Sequence, residues 1–253
     1  MSERESVNEF FSRNAEKYAQ STSHARGKDL DIMISLLKPE KKMKALDVAT
    51  GTGFTAVELS DSVGEVFATD RTHNMLDQAR KLSEKRGAAN THFILSDATA
   101  LPFRDAYFDI ITCRRAAHHF RNKDAFLKEV HRSLSPEGLF ALVDMVAPEG
   151  FKDMYNEFER ARDSSHEEAE TFNGWKQLIE SHGFELSSGN VEGERIPFEK
   201  WLYPVEMDTE EGRKSRLFLS TAGDRFGEAI SYDAGSDALV KRRTIIIARR
   251  RRL

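Results

Sequence analysis

Between Lys44 and Val143 short apolar runs alternate with segments of helical spacing, and this alternation limits the possible folds most sharply. The runs are Lys44–Ala49 (KALDVA), Glu65–Asp70 (EVFATD), His92–Leu95, Phe108–Cys113 (FDIITC) and Leu139–Val143. Between them, Thr52 to about Ser62 and Asn74–Lys85 have helical spacing. Lys123–Leu134 does too, with Phe126, Leu127, Val130 and Leu134 on one face. Pro136-Glu137-Gly138 reads as a turn into the fifth strand. Strands and helices alternating at this spacing imply a parallel sheet covered by helices on both faces. The short apolar strand runs agree with that burial.

The rhythm changes after Pro148. Phe151–Asp163 and Gly174–Ser181 read as helices, Phe184–Gly189 as a sixth strand and Thr244–Arg249 as a seventh. Glu192 to Val240 reads as an irregular or helical insert, and Val7–Tyr18 and Asp29–Leu37 as helices ahead of the sheet. The expectation is one α/β domain over 1–253: a helical cap (1–40), a core (41–150) and a remainder (151–253) carrying a lid insert at about 192–240. A net charge of −4 argues against a dedicated nucleic-acid binder, and Arg249–Arg252 read as a solvated end. The charged start MSERESVNEFFSRN has no apolar signal core, and no stretch is long and apolar enough to cross a membrane. The single cysteine, Cys113, lies in an apolar run and reads as a core residue. A cytoplasmic location is the expectation.

The stretch ALDVATGTGFTAVEL joins the first strand to a helix through Gly51 and Gly53. Ligands of open α/β sheets bind beyond the strands' carboxyl ends, where strand order reverses. Glycine there lets the backbone approach a ligand. With Ala56 the segment also fits a dinucleotide pattern, so the two glycines leave a phosphate, a nucleoside or no ligand open. Three acids narrow the choice. Asp47, before the turn, can meet an ammonium group and would repel a pyrophosphate. Asp70 closes the second strand and can accept both hydroxyls of a ribose, as NAD or any other nucleoside would require. Asp97, followed by Ala98, can accept from an exocyclic amine such as that of adenine.

These blocks, in this order, carry a resemblance. LDVATGTG, ATDRTHNMLDQAR, SDATALPFRDAYFDIITCRRAAHHF and LKEVHRSLSPEGLFALVD resemble the successive motifs of class I S-adenosylmethionine-dependent methyltransferases. The likeness is to the ubiquinone/menaquinone-biosynthesis (type 11) branch, with Ala49 where glycine is common and Thr50 where cysteine is common. FFSRNAEKYAQSTSHARG resembles the cap helix of that branch. The resemblance implies a Rossmann-like, seven-stranded, mostly parallel sheet. It implies S-adenosylmethionine as cofactor, S-adenosylhomocysteine as product and a small-molecule acceptor.

By that resemblance Asp47, Ala49, Thr50, Gly51 and Gly53 would hold the methionine end, and Asp70 the ribose. Arg71 and Met75 would flank the adenine, Asp97 would take its amine, and Ala98 would lie beside the ring. Met75 serves equally well as a helix core residue. Arg114 would line the methionine end, and Tyr18 and His24 would close over the cofactor. The sulfonium activates the methyl group, so alignment supplies much of the rate and a base is needed only for an acceptor that must lose a proton. His118 and His119 are the candidate bases, beside a structural reading in which they bond loop backbone. On an extended segment only one could face the acceptor. No metal site is expected, since adjacent histidines rarely chelate one ion. Asp163-Ser164-Ser165-His166 lacks the elbow of a serine hydrolase. CRRAAHHF stands where nucleic-acid amino methylases carry an Asn/Asp-Pro-Pro-Tyr/Phe motif, which speaks against a nucleic-acid acceptor. Trp201, Tyr203, Met207, Phe218 and Phe226 read either as an acceptor-pocket wall or as ordinary packing. A monomer and a homodimer both remain open, as do a non-catalytic S-adenosylmethionine-binding regulatory protein and an NAD-dependent reductase.

Overall fold

The computed structural model describes residues 7–20 and 27–251, so His24 and Arg252 lie outside the described residues. The elements in chain order are α1 (Val7–Gln20), α2 (Lys28–Leu37), β1 (Lys44–Val48), α3 (Phe54–Ser60), β2 (Glu65–Asp70) and α4 (His73–Arg86). Then follow β3 (Thr91–Leu95), β4 (Phe108–Arg114), a 3-10 turn (Ala117–His119), α5 (Lys123–Ser133), β5 (Leu134–Met145), α6 (Lys152–Arg162) and α7 (Phe172–Ser181). The chain closes with β6 (Phe184–Pro197), α8 (Phe198–Leu202), α9 (Glu210–Thr221), α10 (Asp224–Ala229) and β7 (Ala238–Arg250).

The seven strands form one sheet in the order β3-β2-β1-β4-β5-β7-β6. The first five strands run parallel, and β7 is antiparallel to both β5 and β6. Strand order reverses between β1 and β4, which opens a crevice at their carboxyl ends.

Apolar residues of alternate parity fill the two faces. Leu46, Val48, Ile111, Cys113, Leu142 and Ile246 pack against Phe126, Leu127 and Val130 of α5 and Trp175 and Ile179 of α7. Ala45, Val66, Ala68, Ile110, Val143, Ile245 and Ile247 pack against Leu30, Met33 and Leu37 of α2 and Ala56 and Leu59 of α3. Each fully buried Leu, Ile or Phe side chain contributes roughly 1.5–3 kcal/mol, so the sheet is held from both sides. Cys113 is wholly buried, and burial raises its thiol pKa well above the ordinary range.

Two stretches differ from the pattern read in the sequence. Pro136-Glu137-Gly138 lies within β5, whose pairing with β4 shifts register between Phe108 and Ile110. β6 continues past Gly189 to Pro197, because its polar, exposed residues still pair with β7. The segment between these strands is therefore 198–237, narrower than Glu192 to Val240. Cross-strand hydrogen bonds carry this ribbon without an apolar alternation to announce it.

The segment 198–237 folds onto α6 as a lid with its own core. The Trp201 indole stacks on Phe158 with ring centres 4.1 Å apart, and its Nε1 donates to Glu159 at 3.2 Å. Phe198, Leu202, Phe226 and Ile230 close around the pair, with Leu239 of β7 and Met145 of β5. Trp201, Phe218 and Phe226 thus pack on one another, while Tyr203 and Met207 stay exposed. The lid is tied to α1 from both sides: the Tyr203 hydroxyl donates to the Lys17 carbonyl, and the Lys17 ammonium to the Pro204 carbonyl.

Candidate functional site

A cleft of about 830 Å³, part of it open to solvent, lies at the carboxyl ends of β1, β2 and β4. Its walls are the turn after β1, the start of α4, the segment after β4 and the inner side of α1. Tyr18, Asp47, Ala49, Thr50, Gly51, Asp70, Arg71, Met75, Arg114 and His119 all line it. Gly53, Asp97, Ala98 and His118 do not.

The β1 turn is built on positive φ. Ala49 stands at +53°, Gly51 at +56° and Gly53 at +87°. A Cβ on Gly51 would meet nothing within 4 Å, so that glycine leaves cleft space open. A Cβ on Gly53 would lie 2.8 Å from the Cβ of Ala79. Gly53 is therefore set by the close packing of α3 on α4, and the approach to a ligand falls to Gly51.

Asp47 and Asp70 meet beneath this turn. Asp70 accepts from the Gly51 amide through Oδ2 and from the Thr72 amide through Oδ1, each at 2.9 Å, and so fastens the β1 turn to the β2 turn. Asp47 is 1% exposed and accepts from the Thr112 hydroxyl at 2.7 Å through Oδ1. Its Oδ2 is buried without a hydrogen-bond partner among the described residues. Burial raises the Asp47 carboxyl to about 6, with the Asp70 charge adding to the rise, and burial also raises Asp70. Two desolvated carboxylates, one with an orphaned oxygen, make this end of the cleft a receptor for a cation or for N–H and O–H donors.

Met75, 3% exposed, is at once a core residue of α4 and part of the cleft wall. Asp97 lies beyond the cleft, and its Oδ1 accepts from the Thr99 amide at 2.8 Å and hydroxyl at 2.7 Å. Ala98 packs against the core on the α5 side of the sheet. Both are expected beside an adenine, and neither is among the residues that line this cleft.

The two histidines part ways in the 3-10 turn after β4. His118 is buried, its Nδ1 lies 2.6 Å from Asp144 Oδ1, and its amide donates to Asp144 Oδ2 at 2.8 Å. Burial and neighbouring His119 push its imidazole well below the usual range. This tether holds His118 away from the cleft, as a brace between the turn and the end of β5. His119 turns into the cleft, with the Phe11 ring edge-on at 4.8 Å. Its Nδ1 donates to the Ser165 carbonyl at 3.0 Å, so in the neutral ring Nε2 is the accepting nitrogen. Ser165 is itself fixed through its amide and hydroxyl to Asp163. Asp163-Ser164-Ser165-His166 thus positions His119, while His166 bonds Asn156.

Sequence reasoning passed over several lining residues: Phe11, Phe54, Thr72, Arg115 and Phe120. It also passed over Asp29 of α2, which both Arg114 and Arg115 grip with paired hydrogen bonds of 2.7–3.3 Å. The two guanidiniums hold the Asp29 carboxyl far below its usual range against the opposing effect of burial. Phe11 carried a signal, since it stands in the apolar pattern of α1. Asp29 carried none, because 85 residues separate it from Arg114. Among the described residues no group of His, Cys, Asp and Glu has the geometry of a metal site, and no helix is long and apolar enough to cross a membrane.

Comparison with known proteins places these features in a wider set. Residues 39–194 match a family model described as a methyltransferase domain. The uncharacterized methyltransferase YcgJ of Bacillus subtilis is 34% identical over 201 residues, covering 79% of this chain and 76% of its own. The ubiquinone/menaquinone biosynthesis C-methyltransferase UbiE of a Shewanella species is 37% identical over 111 residues, covering 42% of this chain and 44% of its own. A crystal structure of a Bacillus halodurans protein superposes with a TM-score of 0.83 at 31% identity, covering 89% of this chain and 100% of that one.

Proposed function

The chain belongs to the family of S-adenosylmethionine-dependent methyltransferase domains, and from that premise we propose that the cleft holds the cofactor with its amino-acid end at Asp47 and Gly51 and delivers its methyl group to a small-molecule acceptor served by His119. The observation that carries this reading is the orphaned, buried Asp47 Oδ2 beside an open left-handed Gly51. A buried carboxylate oxygen without a partner calls for an ammonium donor, and Asp47 with Asp70 makes a pyrophosphate unwelcome in the same turn.

In this reading Asp47 takes the amino group and Asp70 uses its remaining lone pairs for ribose hydroxyls, while its amide bonds keep it rigid. Met75 offers an apolar surface to the adenine, and Arg71 stands beside it at the cleft wall. Asp97 and Ala98 support the adenine only from outside the cleft. The bound cofactor supplies an already activated methyl group, so the protein's part is alignment and exclusion of water. α1 covers the cleft with Phe11 and Tyr18, and its ties to Tyr203 and Pro204 hold it against the lid. His119, held by Ser165, presents Nε2 to take a proton from an acceptor hydroxyl, amine or activated carbon.

Isothermal titration with S-adenosylhomocysteine and with S-adenosylmethionine tests this. We expect micromolar binding that Asp70→Ala abolishes, and transfer of labelled methyl to at least one member of a phenol, amine and carbon-acid panel. Absence of binding up to millimolar ligand refutes the reading. Binding without transfer would point to a non-catalytic cofactor-binding protein.

A further inference from the structure

The segment 163–169, between α6 and α7, forms a strap against the 3-10 turn that carries His119. The Glu167 and Glu168 amides both donate to the His118 carbonyl, at 3.0 and 2.9 Å. Asn156 of α6 anchors the far end. Its Oδ1 accepts from His166 Nε2 and from the Ala169 amide, each at 2.6 Å, and its Nδ2 donates to the Ala169 carbonyl at 3.0 Å. The strap is thus tied to the turn on one side and to α6 on the other, with Asp163, Ser165 and His166 buried in it.

Proton counting gives the chain Asp163–Ser165–His119 a direction. Asp163 Oδ1 accepts from the Ser165 amide at 2.9 Å and from its hydroxyl at 2.5 Å. A hydroxyl has one proton, so Ser165 Oγ presents only lone pairs to His119 Nδ1, 3.2 Å away. The Ser165 carbonyl, 3.0 Å from the same nitrogen, can also only accept. Two acceptors therefore hold a proton on Nδ1. The far end of the chain is charged: against burial, which opposes it, His119, Arg162 and the Ser165 hydroxyl hold the Asp163 carboxyl below its usual range. The other groups around His119 play different parts. Burial and neighbouring rings keep His118 well below the usual range and His166 at about 3, and burial and Asp163 push Tyr18 of α1 up, so all three are neutral. Asp144 of β5, raised by burial to about 6, gives its oxygens to His118 and to the Met145 amide. Arg114 and Arg115 share the cleft and pair with Asp29, and Arg162 pairs with Glu159.

We propose that Asp163 is a positioning residue for His119: through the Ser165 hydroxyl it fixes the Nδ1–H tautomer and steadies the ring once Nε2 has taken a proton, and the methyl acceptor is accordingly one that must lose a proton. The inference rests on the methyl-transfer reading with His119 as base. It adds what makes that base effective and the acceptor's chemical class. In the step, the acceptor's proton passes to Nε2, the electron pair it leaves forms the bond to the methyl group, and the methyl–sulfur pair stays on sulfur. The imidazolium then returns its proton to water. Ser165 is no nucleophile here, since its proton is committed to Asp163 and its side chain is buried. An acceptor with no proton to lose, such as a tertiary amine, makes no use of the chain.

Nitrogen NMR of the imidazole-labelled, ligand-free protein reads the tautomer and titration of His119 directly, with His119→Gln assigning the signal. We expect the neutral wild-type ring to carry its proton on Nδ1. Asp163→Asn keeps an oxygen for Ser165 and loses only the charge, and Ser165→Ala keeps the carbonyl and loses the hydroxyl. Each should lower the titration midpoint of the ring by about one pH unit. In methyl transfer to phenols and carbon acids, each variant should lower kcat about 3- to 10-fold and move the acid limb of the profile to lower pH, with the acceptor's KM unchanged. Transfer to tertiary amines should not change. The proposal is overturned if the wild-type proton sits on Nε2, if Ser165→Ala leaves the midpoint where it was, or if transfer to a tertiary amine falls as far as transfer to a phenol. Ser165→Ala preserves the amide bond to Asp163, so it reads the chain even where Asp163→Asn fails to fold. If no acceptor of any class is methylated, the methyl-transfer reading falls and the acceptor class with it, while the NMR titration still decides whether Asp163 governs His119.

Discussion

Replacing Asp47 by Asn should make the ligand-free protein more stable at pH 8 while spoiling its cleft. The Asp47 carboxyl stands at about 6 instead of 3.8 because it is desolvated and lies beside Asp70. Holding it ionised at pH 8 therefore costs about 3 kcal/mol, at roughly 1.4 kcal/mol per pH unit. A folded-state pKa raised above the unfolded one means that the folded state binds more protons. Stability from this group is fully present below 3.8 and is lost as pH rises to about 6. Asn keeps an oxygen for the Thr112 hydroxyl and carries no charge, but its N–H, lacking the orphaned oxygen's ligand, gives back about 1 kcal/mol. The net gain is about 2 kcal/mol at pH 8, and it largely vanishes at pH 4.5, where the wild-type carboxyl is mostly protonated. Urea unfolding of both proteins at the two pH values reads this directly. Affinity for S-adenosylhomocysteine should fall about 10- to 100-fold in the same variant, the worth of one charge-assisted hydrogen bond. An Asp47→Asn protein less stable than wild type at pH 8, or shifted equally at both pH values, would show that Asp47 is already satisfied and would refute the argument.

Two contrasts follow from paired residues. Gly53→Ala should cost about 2 kcal/mol or more in urea unfolding, through the clash with Ala79 and the left-handed backbone, while Gly51→Ala costs about 1–2 kcal/mol but weakens S-adenosylhomocysteine binding more severely. Equal effects on binding would erase the distinction between the packing glycine and the ligand-facing one. His118→Ala removes the ring that meets Asp144 Oδ1, while the His118 and Met145 amides still bond that carboxyl, and should destabilise by about 1–3 kcal/mol, whereas His119→Ala should keep cofactor binding and lower kcat about 10²- to 10⁴-fold for an acceptor that must lose a proton. A His119→Ala enzyme with full kcat across the pH profile rules out the base.

The alternation from Lys44 to Val143 was enough to determine the parallel sheet, its two apolar faces and the end at which the glycine turn sits. Periodicity of 2 and 3.6 residues is a local property, written in the order of the chain. The same holds for Asp47, Gly51 and Asp70, which occupy fixed offsets from strand ends and were legible as a constellation. What the tertiary structure alone decided was how neighbours in that constellation divide the work. Gly53 serves Ala79 while Gly51 serves the cleft, because α4 crosses the helix start after one glycine and misses the other. His118 braces Asp144 and His119 faces the cleft, because a 3-10 turn rather than an extended strand rotates them apart. The β6–β7 ribbon gave no apolar rhythm, since hydrogen bonds across a polar edge leave none. The Arg114–Asp29–Arg115 clamp arises from contacts between distant segments, and no spacing along the chain encodes an ion pair that exists only once the sheet has brought its members together.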